Sequence, residues 1–336
     1  MMSKLYSPAI LVTLKTFIKK TQKEYVFNQN MRRKMGLGKQ SLEIILNECK
    51  YKKISGDLLC IGKQTVHLDR MHTLRLFNKY NFSTDMINSL FQNKKFDTIT
   101  RHSHSTLFDN DLFSSFSDAK YHCLDRSTYE GATIIHDMNT PINKDLHNRF
   151  DFIFNGSCMD NVFNPVSFII NTSNMLKTGG RIVHIECATS APGAYLMFSP
   201  EWFFSYYAVN NFYDCKVYVA IAKKKGINRY IFDTDLYVWQ PFFTRNIYYC
   251  DIDACKTIDG IMYVIVIAEK KNDSTSHICP VQMQYLDKNS IDWRQKFKIF
   301  ELSERPLINL QNQHYLDSNS PTPFLSDHYI YIGSGF

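Results

Sequence analysis

FDFIFNGSCMDNVFNP, residues 150–165, is the stretch on which the reading of this chain turns. A mostly apolar run, Phe150–Phe154, passes directly into Asn155-Gly156-Ser157, the pattern of a strand that stops at a turn. Asp160 follows nine places after Asp151. The turn is either the rim of an active site or an ordinary strand exit. In the first case Asp160 is a base or an orienting acid. In the second it caps the helix that begins near Asn164.

Outward from this stretch the pattern alternates. Val166–Leu176 carries its apolar residues on a helical face and ends in Lys177-Thr178-Gly179-Gly180, a glycine stop. RIVHIE (181–186) supplies the next strand. Upstream, ISGDLLCIGKQ (54–64) gives a turn at Ser55-Gly56-Asp57, an apolar run Leu58–Ile61 and a tight turn at Gly62. Residues 69–92 read as helical with Asp69 as cap, and FDNDLFSSF (108–116) as a short helix. AKYHCLD (119–125) and TIIHDMN (133–139) are brief strands ending at Asp125 and Asp137. Apolar strands alternating with helices predict a parallel α/β sheet. CKVYVAIAKKK (215–225) and GIMYVIVIAEKK (260–271) are two late strands joined by an aromatic insert, and YLDKNSIDWRQKFKIF (285–300) reads as a closing helix.

The 336 residues are 44% hydrophobic, ample for a core, with no repeat or low-complexity tract. IMYVIVIA (261–268) is too short to span a bilayer. The early run PAILV is too weak for a secretory signal, so the chain is expected in the cytoplasm. Nine scattered cysteines without a CxxC pair argue against a disulfide scaffold and a cysteine zinc site. Residues 1–57 hold twelve Lys or Arg against four acids, more than the whole net charge of +7. That basic segment, densest at MRRKMGLGK (31–39), is a solvated helical surface or a face for a phosphate-bearing substrate, an anionic membrane or nucleic acid. His102 and His104 read as loop histidines, and His184 as a satisfied core residue.

In a parallel sheet, ligands bind beyond the carboxyl ends of the strands. Gly62-Lys63-Gln64, Asp125, Asp137-Met138 and Asn155-Gly156 all fall there. An acid at a strand end accepts hydrogen bonds from ribose hydroxyls. A second acid with an apolar neighbour holds an adenine amino group while stacking on the ring, and Gly62 admits a ligand close to the backbone. Each has a plain structural alternative: Asp125 as a cap or turn residue, Asp137 as a turn acid beside Asn139 and Pro141, Gly62 as a turn glycine. GxGxxG and GxxxxGK[ST] loops are absent. A cofactor without pyrophosphate, such as S-adenosylmethionine, therefore fits better than a dinucleotide, which disfavours an NAD-dependent oxidoreductase.

LLCIGKQTVHL (58–68), LDRSTYEGATIIHDMNTPI (124–142), RFDFIFNGSCMDNVF and MLKTGGRIVHI (175–185) together resemble the class I S-adenosylmethionine-dependent methyltransferases. The nearest likeness is to a bacterial branch with a Leu-Gly-Arg-Gln-like first motif. The resemblance extends to Phe198-Ser199-Pro200-Glu201. It implies a Rossmann-like sheet of seven strands with the last antiparallel. It also implies that Gly62, Lys63 and Gln64 line the methionine and ribose side of the cofactor. Asp125 then binds the ribose, Asp137 and Met138 the adenine, and Asn155 and Gly156 face the sulfonium end. Two departures stand out: a single glycine in the first motif, and Asp160-Asn161 where the branch often has Glu-His.

The resulting expectation divides the chain into a basic helical extension (1–53), a methyltransferase-like domain (54–272) with an insert at 226–259, and a C-terminal extension (273–336) packed on the core. The expected activity is methyl transfer from S-adenosyl-L-methionine to a small-molecule or saccharide-like acceptor, with Asp160 as the catalytic candidate and no metal. APGAYLMFSPEWFFSYYA (191–208) is either a roof over the acceptor or ordinary packing of aromatics. No nucleic-acid motif and no transmembrane segment is present, and the basic N-terminus allows peripheral membrane contact. The competing expectation is a catalytically inactive methyltransferase-like binding or assembly module.

Overall fold

A computed structural model describes residues 36–98, 106–128, 130–189, 194–224, 232–239, 261–281 and 329–333. The elements are α1 (Lys39–Tyr51), β1 (Asp57–Ile61), α2 (Arg70–Lys79), α3 (Asp85–Gln92), α4 (Asp109–Ser114), β2 (Lys120–Asp125), β3 (Ile134–Ile135), β4 (Phe150–Gly156) and α5 (Pro165–Met175). After these come β5 (Leu176–Cys187), α6 (Pro200–Val209), β6 (Asp214–Lys224), β7 (Phe232–Trp239), β8 (Ile261–Glu269) and β9 (Tyr329–Gly333). The strands form one mixed sheet in the order β3-β2-β1-β4-β5-β8-β6-β7-β9.

β1 to β5 are parallel, with β1 lying between β2 and β4. β8 enters antiparallel between β5 and β6. The chain therefore builds leftward from β1 through β2 to β3, then jumps to β4 and builds rightward. Strand alternation sends β1 side chains to two cores. Leu58 and Cys60 pack with Leu42, Ile45, Phe77, Ile87 and Phe113 of α1–α4. Leu59 and Ile61 pack with Phe168, Ile169, Phe203 and Tyr207 of α5 and α6 on the other face. Burying each large apolar side chain contributes about 1.5–3 kcal/mol, so a sheet covered on both faces is the stable solution for these double-sided apolar strands.

The sheet has nine strands, not the seven implied by the resemblance. The aromatic insert contributes β7, which pairs with β6, and β9 from near the end of the chain pairs with β7. These two strands cover an edge that β6 would otherwise leave open. The two late apolar strands do pair antiparallel as β6 and β8.

Local signals explain most boundaries. Asp69 accepts the His72 amide at 2.8 Å, and Asn164, not Asp160, caps α5 through the Ser167 amide at 3.1 Å. The helical stretch 69–92 is broken into α2 and α3 at Asn81, whose φ of 57° is left-handed. The Phe82 amide closes that end on the Phe77 carbonyl at 2.9 Å, a Schellman-type stop. Gly179 and Gly180 do not end α5, which stops at Met175. They sit within β5, where the Gly179 amide donates to the Lys270 carbonyl at 2.7 Å. The helix end is instead satisfied by Lys270, whose Nζ donates to the carbonyls of Ser173 (2.8 Å) and Leu176 (2.7 Å). Burial lowers the Lys270 pKa.

The segment up to residue 35, with most of its basic residues, lies outside the described residues, as do His102, His104 and the stretch 285–300. α1, within the same N-terminal region, is no solvated surface helix. Residues 41–49 are all buried, and Leu42, Ile44, Ile45 and Leu46 are fully enclosed in the first core. Its carboxyl end is tied to β5 by Arg181, which donates to the Glu48 carbonyl at 2.8 Å, to Glu48 Oε2 at 3.3 Å and to the Lys52 carbonyl. Among the described residues no helix is long and apolar enough to cross a membrane.

Arg181 and Glu48 are 2% and 0% exposed, so the pair has almost no help from water. Arg181→Met removes the guanidinium and leaves a buried carboxylate behind. We expect a loss of about 3–5 kcal/mol in urea unfolding, with Arg181→Lys restoring only part because an ammonium lacks the planar fork.

Candidate functional site at the carboxyl edge

The reversal of strand order between β1 and β4 opens a crevice at the carboxyl edge, the usual ligand position in such a sheet. On the β1 side, Gly62 has a φ of +69° and donates its amide to the Leu124 carbonyl at 2.7 Å. A side chain at Gly62 is unfavourable twice over. The left-handed backbone resists it, and an added Cβ would lie 2.6 Å from Cys158 Sγ of the turn after β4. Cys158 donates its thiol to the Ile61 carbonyl at 3.0 Å, and Gln64 Nε2 donates to the carbonyls of Ile61 (2.8 Å) and Gly62 (3.0 Å). The end of β1 is therefore held by side chains from both sides of the crevice.

Lys63 is placed in an ion pair, its Nζ 2.9 Å from Asp109 Oδ1 and its side chain 9% exposed. Burial works against the Lys63 charge, but Asp109 outweighs it and raises the pKa. Asp109, the first residue of α4, is fully buried and also accepts the Gln64 amide (2.7 Å) and the Tyr121 hydroxyl (2.8 Å). Gln64 and Lys63 thus serve the shape of the β1 turn through this one carboxylate.

Asp125 ends β2 beside that turn. Its Oδ1 accepts the Ser127 amide at 3.2 Å, while its Oδ2 would lie 4.0 Å from a Cβ at Gly62 and accepts no hydrogen bond among the described residues. Among the described residues no helix begins directly after Asp125, so its Oδ1 serves the turn alternative, through the Ser127 amide, rather than a cap. Burial and the nearby Asp125 charge raise the pKa of Glu130. Asp137 makes the turn expected beside Asn139: its Oδ1 accepts the Asn139 amide (3.0 Å) and Nδ2 (2.8 Å), and those bonds lower its pKa. Met138 is buried beneath this turn, so the open apolar neighbour is Ile135, 50% exposed and in register with Asp125.

On the β4 side, Asn155 is buried. Its Oδ1 accepts the Cys158 amide (2.9 Å), and its Nδ2 donates to Glu186 Oε1 (2.5 Å) and His184 Nδ1 (3.0 Å). Gly156 follows, and a Cβ there would meet the Phe154 ring at 2.8 Å. Asp160 is 0% exposed. Its carboxylate accepts from Ser157 Oγ (3.2 Å) and Asn161 Nδ2 (2.7 Å), and burial raises its pKa. Its carbonyl accepts the Tyr195 amide at 2.7 Å, joining the β4 turn to the expected roof. Phe163 and Tyr195, 81% and 67% exposed, stand edge to face with centroids 6.0 Å apart at the mouth.

Glu186, fully buried at the end of β5, holds this turn from beneath. It accepts the Asn155 amide group, the Met159 N–H (3.3 Å) and the Asp160 N–H (3.1 Å). Burial, then the neighbouring Asp160 charge, raises its pKa well above the usual range. His184 is a satisfied core residue: Nδ1 accepts from Asn155, and Nε2 meets the Tyr207 hydroxyl at 2.6 Å. Among the described residues no group of three or more His, Cys, Asp or Glu could hold a metal ion. Asp109, Glu130 and Glu186 are unmarked in a reading of the sequence. An acid inside the apolar run RIVHIEC was the one available signal, for Glu186.

No family profile and no curated protein matches the chain. Among solved structures, phosphoethanolamine N-methyltransferase 2 of Haemonchus contortus, in complex with S-adenosyl-L-methionine, is similar at a TM-score of 0.34 and 12% identity, over 69% of this chain and 52% of that one. A SAM-dependent methyltransferase from Archaeoglobus fulgidus is similar at 0.35 and 11%, over 69% and 94%. The 1,6-didemethyltoxoflavin-N1-methyltransferase of Burkholderia thailandensis is similar at 0.30 and 10%, over 80% and 92%. The chain spans about half the length of the Haemonchus protein. Likeness at these scores is distant and carries no inference about activity.

Two measurements test the site's construction. Gly62→Ala should cost about 1–3 kcal/mol, and less in a Cys158→Ala background, where only the backbone strain is left. Strictly additive losses in that double-mutant cycle would contradict the contact. For His184, burial lowers the pKa from 6.5 to about 3. Below pH 6.5 the unfolded chain takes up a proton that the folded chain refuses, so stability falls steadily toward pH 3. Unfolding titrations should show that acid loss reduced in His184→Gln.

Proposed function

We propose that the chain binds S-adenosyl-L-methionine across the β1–β4 crevice and transfers its methyl group to a small-molecule or saccharide-like acceptor. The observation that carries this reading is Asp125: a carboxylate at the end of β2 whose Oδ2 is unpartnered among the described residues and lies 4.0 Å from where a Cβ at Gly62 would sit. A ribose hydroxyl donates to such an oxygen. Asp137 with Ile135 is assigned to the adenine end, and Asn155-Gly156 to the sulfonium end. Gly62, covered by Cys158 Sγ, shapes the turn beside Asp125, while Lys63 and Gln64 act by holding that turn. Met138 supports the adenine turn from below.

The cofactor supplies an electrophilic methyl on a sulfonium, so the chain's task is alignment and exclusion of water. Asp160, sealed from solvent, suits an orienting role better than that of a base: it fixes the β4 turn through its carboxylate and the Tyr195 segment through its carbonyl. Phe163 and Tyr195 offer rings on which an acceptor with an apolar face can lie. The same burial of Asp160 favours a second reading, a module that binds the cofactor without turnover.

Calorimetry with S-adenosylhomocysteine tests the shared cofactor claim, and methyl transfer from labelled cofactor separates the two readings. Binding should weaken about ten- to hundredfold in Asp125→Ala, the worth of a hydrogen bond to a charged group. Absence of both heat and thermal shift at millimolar ligand would sink the cofactor reading.

A further inference from the structure

The loop after β3 lacks the support that the other strand ends enjoy. β3 is two residues long and lies at the edge of the sheet, so among the described residues no strand flanks the outer side of the chain there. Residues 138–142 are nevertheless held to the body of the protein, chiefly by one side chain of α5, with His136 Nε2 meeting the Thr140 carbonyl at 3.1 Å within the loop itself. Asn171, 2% exposed on α5, donates Nδ2 to the Thr140 carbonyl (2.7 Å) and the Met138 carbonyl (3.4 Å). Its Oδ1 accepts the Ile142 amide at 2.9 Å. One buried amide thereby does what a neighbouring strand does, offering a donor and an acceptor to alternate backbone groups. A second tie comes from the start of the same helix, where the Asn164 amide donates to Asn139 Oδ1 at 3.0 Å.

We propose, building on the cofactor reading above, that Asn171 is a positioning residue for the adenine end of the ligand site. It touches no part of the crevice itself. It acts on the Asp137-Met138 turn, and therefore on adenine recognition, while Asp125 and the Gly62 turn are held by other groups. Leucine has the same number and branching of side-chain heavy atoms as asparagine, with bulkier methyl ends, and can make none of the three contacts. It would also strip Asn171's bonds from the Met138 carbonyl and the Ile142 amide and leave the Thr140 carbonyl to His136 Nε2.

The test compares S-adenosylhomocysteine with S-ribosylhomocysteine, which keeps the ribose and sulfur but lacks adenine. Both are titrated by calorimetry against wild type and Asn171→Leu, at a temperature where circular dichroism shows both folded. The expected result is a tenfold or greater loss for S-adenosylhomocysteine with S-ribosylhomocysteine changed less than twofold. Unchanged S-adenosylhomocysteine affinity in the folded variant overturns the inference, as does an equal loss for both ligands, which marks general damage. If Asn171→Leu does not fold, Asn171→Ser, too short to reach the loop, is read by the same criteria. Wild type that binds neither ligand refutes the cofactor reading itself and the inference with it. That outcome is distinct from a variant that binds as well as wild type.

Discussion

A buried carboxylate with three N–H donors and no cation sets the geometry of the crevice. Glu186 gathers the Asn155 side chain and the amides of Met159 and Asp160 onto one group, and each donor belongs to the turn that leaves β4. A carboxyl group so placed is costly to ionise, which is why its pKa is pushed up, and the donors are what make the placement tolerable. The cost is borne because the turn has no regular structure of its own beyond one turn of 3₁₀ helix at Met159–Asn161. Once it is held, Cys158 is fixed beneath the Ile61 carbonyl, and through it the Gly62 turn is fixed too.

The β1 side is built by the same device in mirror fashion. Asp109, also fully buried, takes the Lys63 ammonium, the Gln64 amide and the Tyr121 hydroxyl. Here a cation is present, and the pair reads as structural. The two residues that most resemble ligand-binding groups in this turn are both committed to the scaffold. What is left facing the crevice is sparse: a glycine backbone, Asp125 with one unpartnered oxygen, and a half-exposed isoleucine. A site this sparsely furnished suits a ligand that brings its own reactivity.

Signals local in sequence were legible, and those joining distant segments were not. The cap at Asp69, the alternation in β1 and the turn at Gly62 each depend on residues within a few positions of one another, so periodicity and turn chemistry reveal them. The Asp125 strand end was readable for the same reason, whereas β3 stops at Ile135, two residues short of Asp137, which lies in the turn beyond. Glu186 meets its partners 26 to 31 residues away, and Asp109 meets Lys63 at a separation of 46. Nothing in Asp109's own neighbourhood marks it as a buried anchor, and for Glu186 the only local hint is its place inside the apolar run RIVHIEC. Asp160 was misleading as a cap for a related reason: Asn164 sits closer to the first turn of α5 and takes the Ser167 amide, leaving Asp160 to the 3₁₀ turn. β7 and β9 likewise depend on an unfilled strand edge, which only the assembled sheet defines.

The arrangement separates what the ligand meets from what holds the ligand's surroundings. In the proposed reading the adenine, ribose and sulfonium ends would each be backed by a different side chain: Asn171 behind the Asp137 turn, Asp109 behind the Gly62 turn, Glu186 behind the β4 turn. All three supports come from elements that the strand-end residues do not belong to, namely α5, α4 and β5. A substitution in one support leaves the sheet beneath in register, because the ladders linking β1 to β2 and β4 do not pass through these groups. The Glu186 and Asp109 supports are coupled, since Cys158 of the β4 turn also braces the Gly62 turn, whereas Asn171 acts on the Asp137 turn alone, so the adenine end should respond separately from the other two.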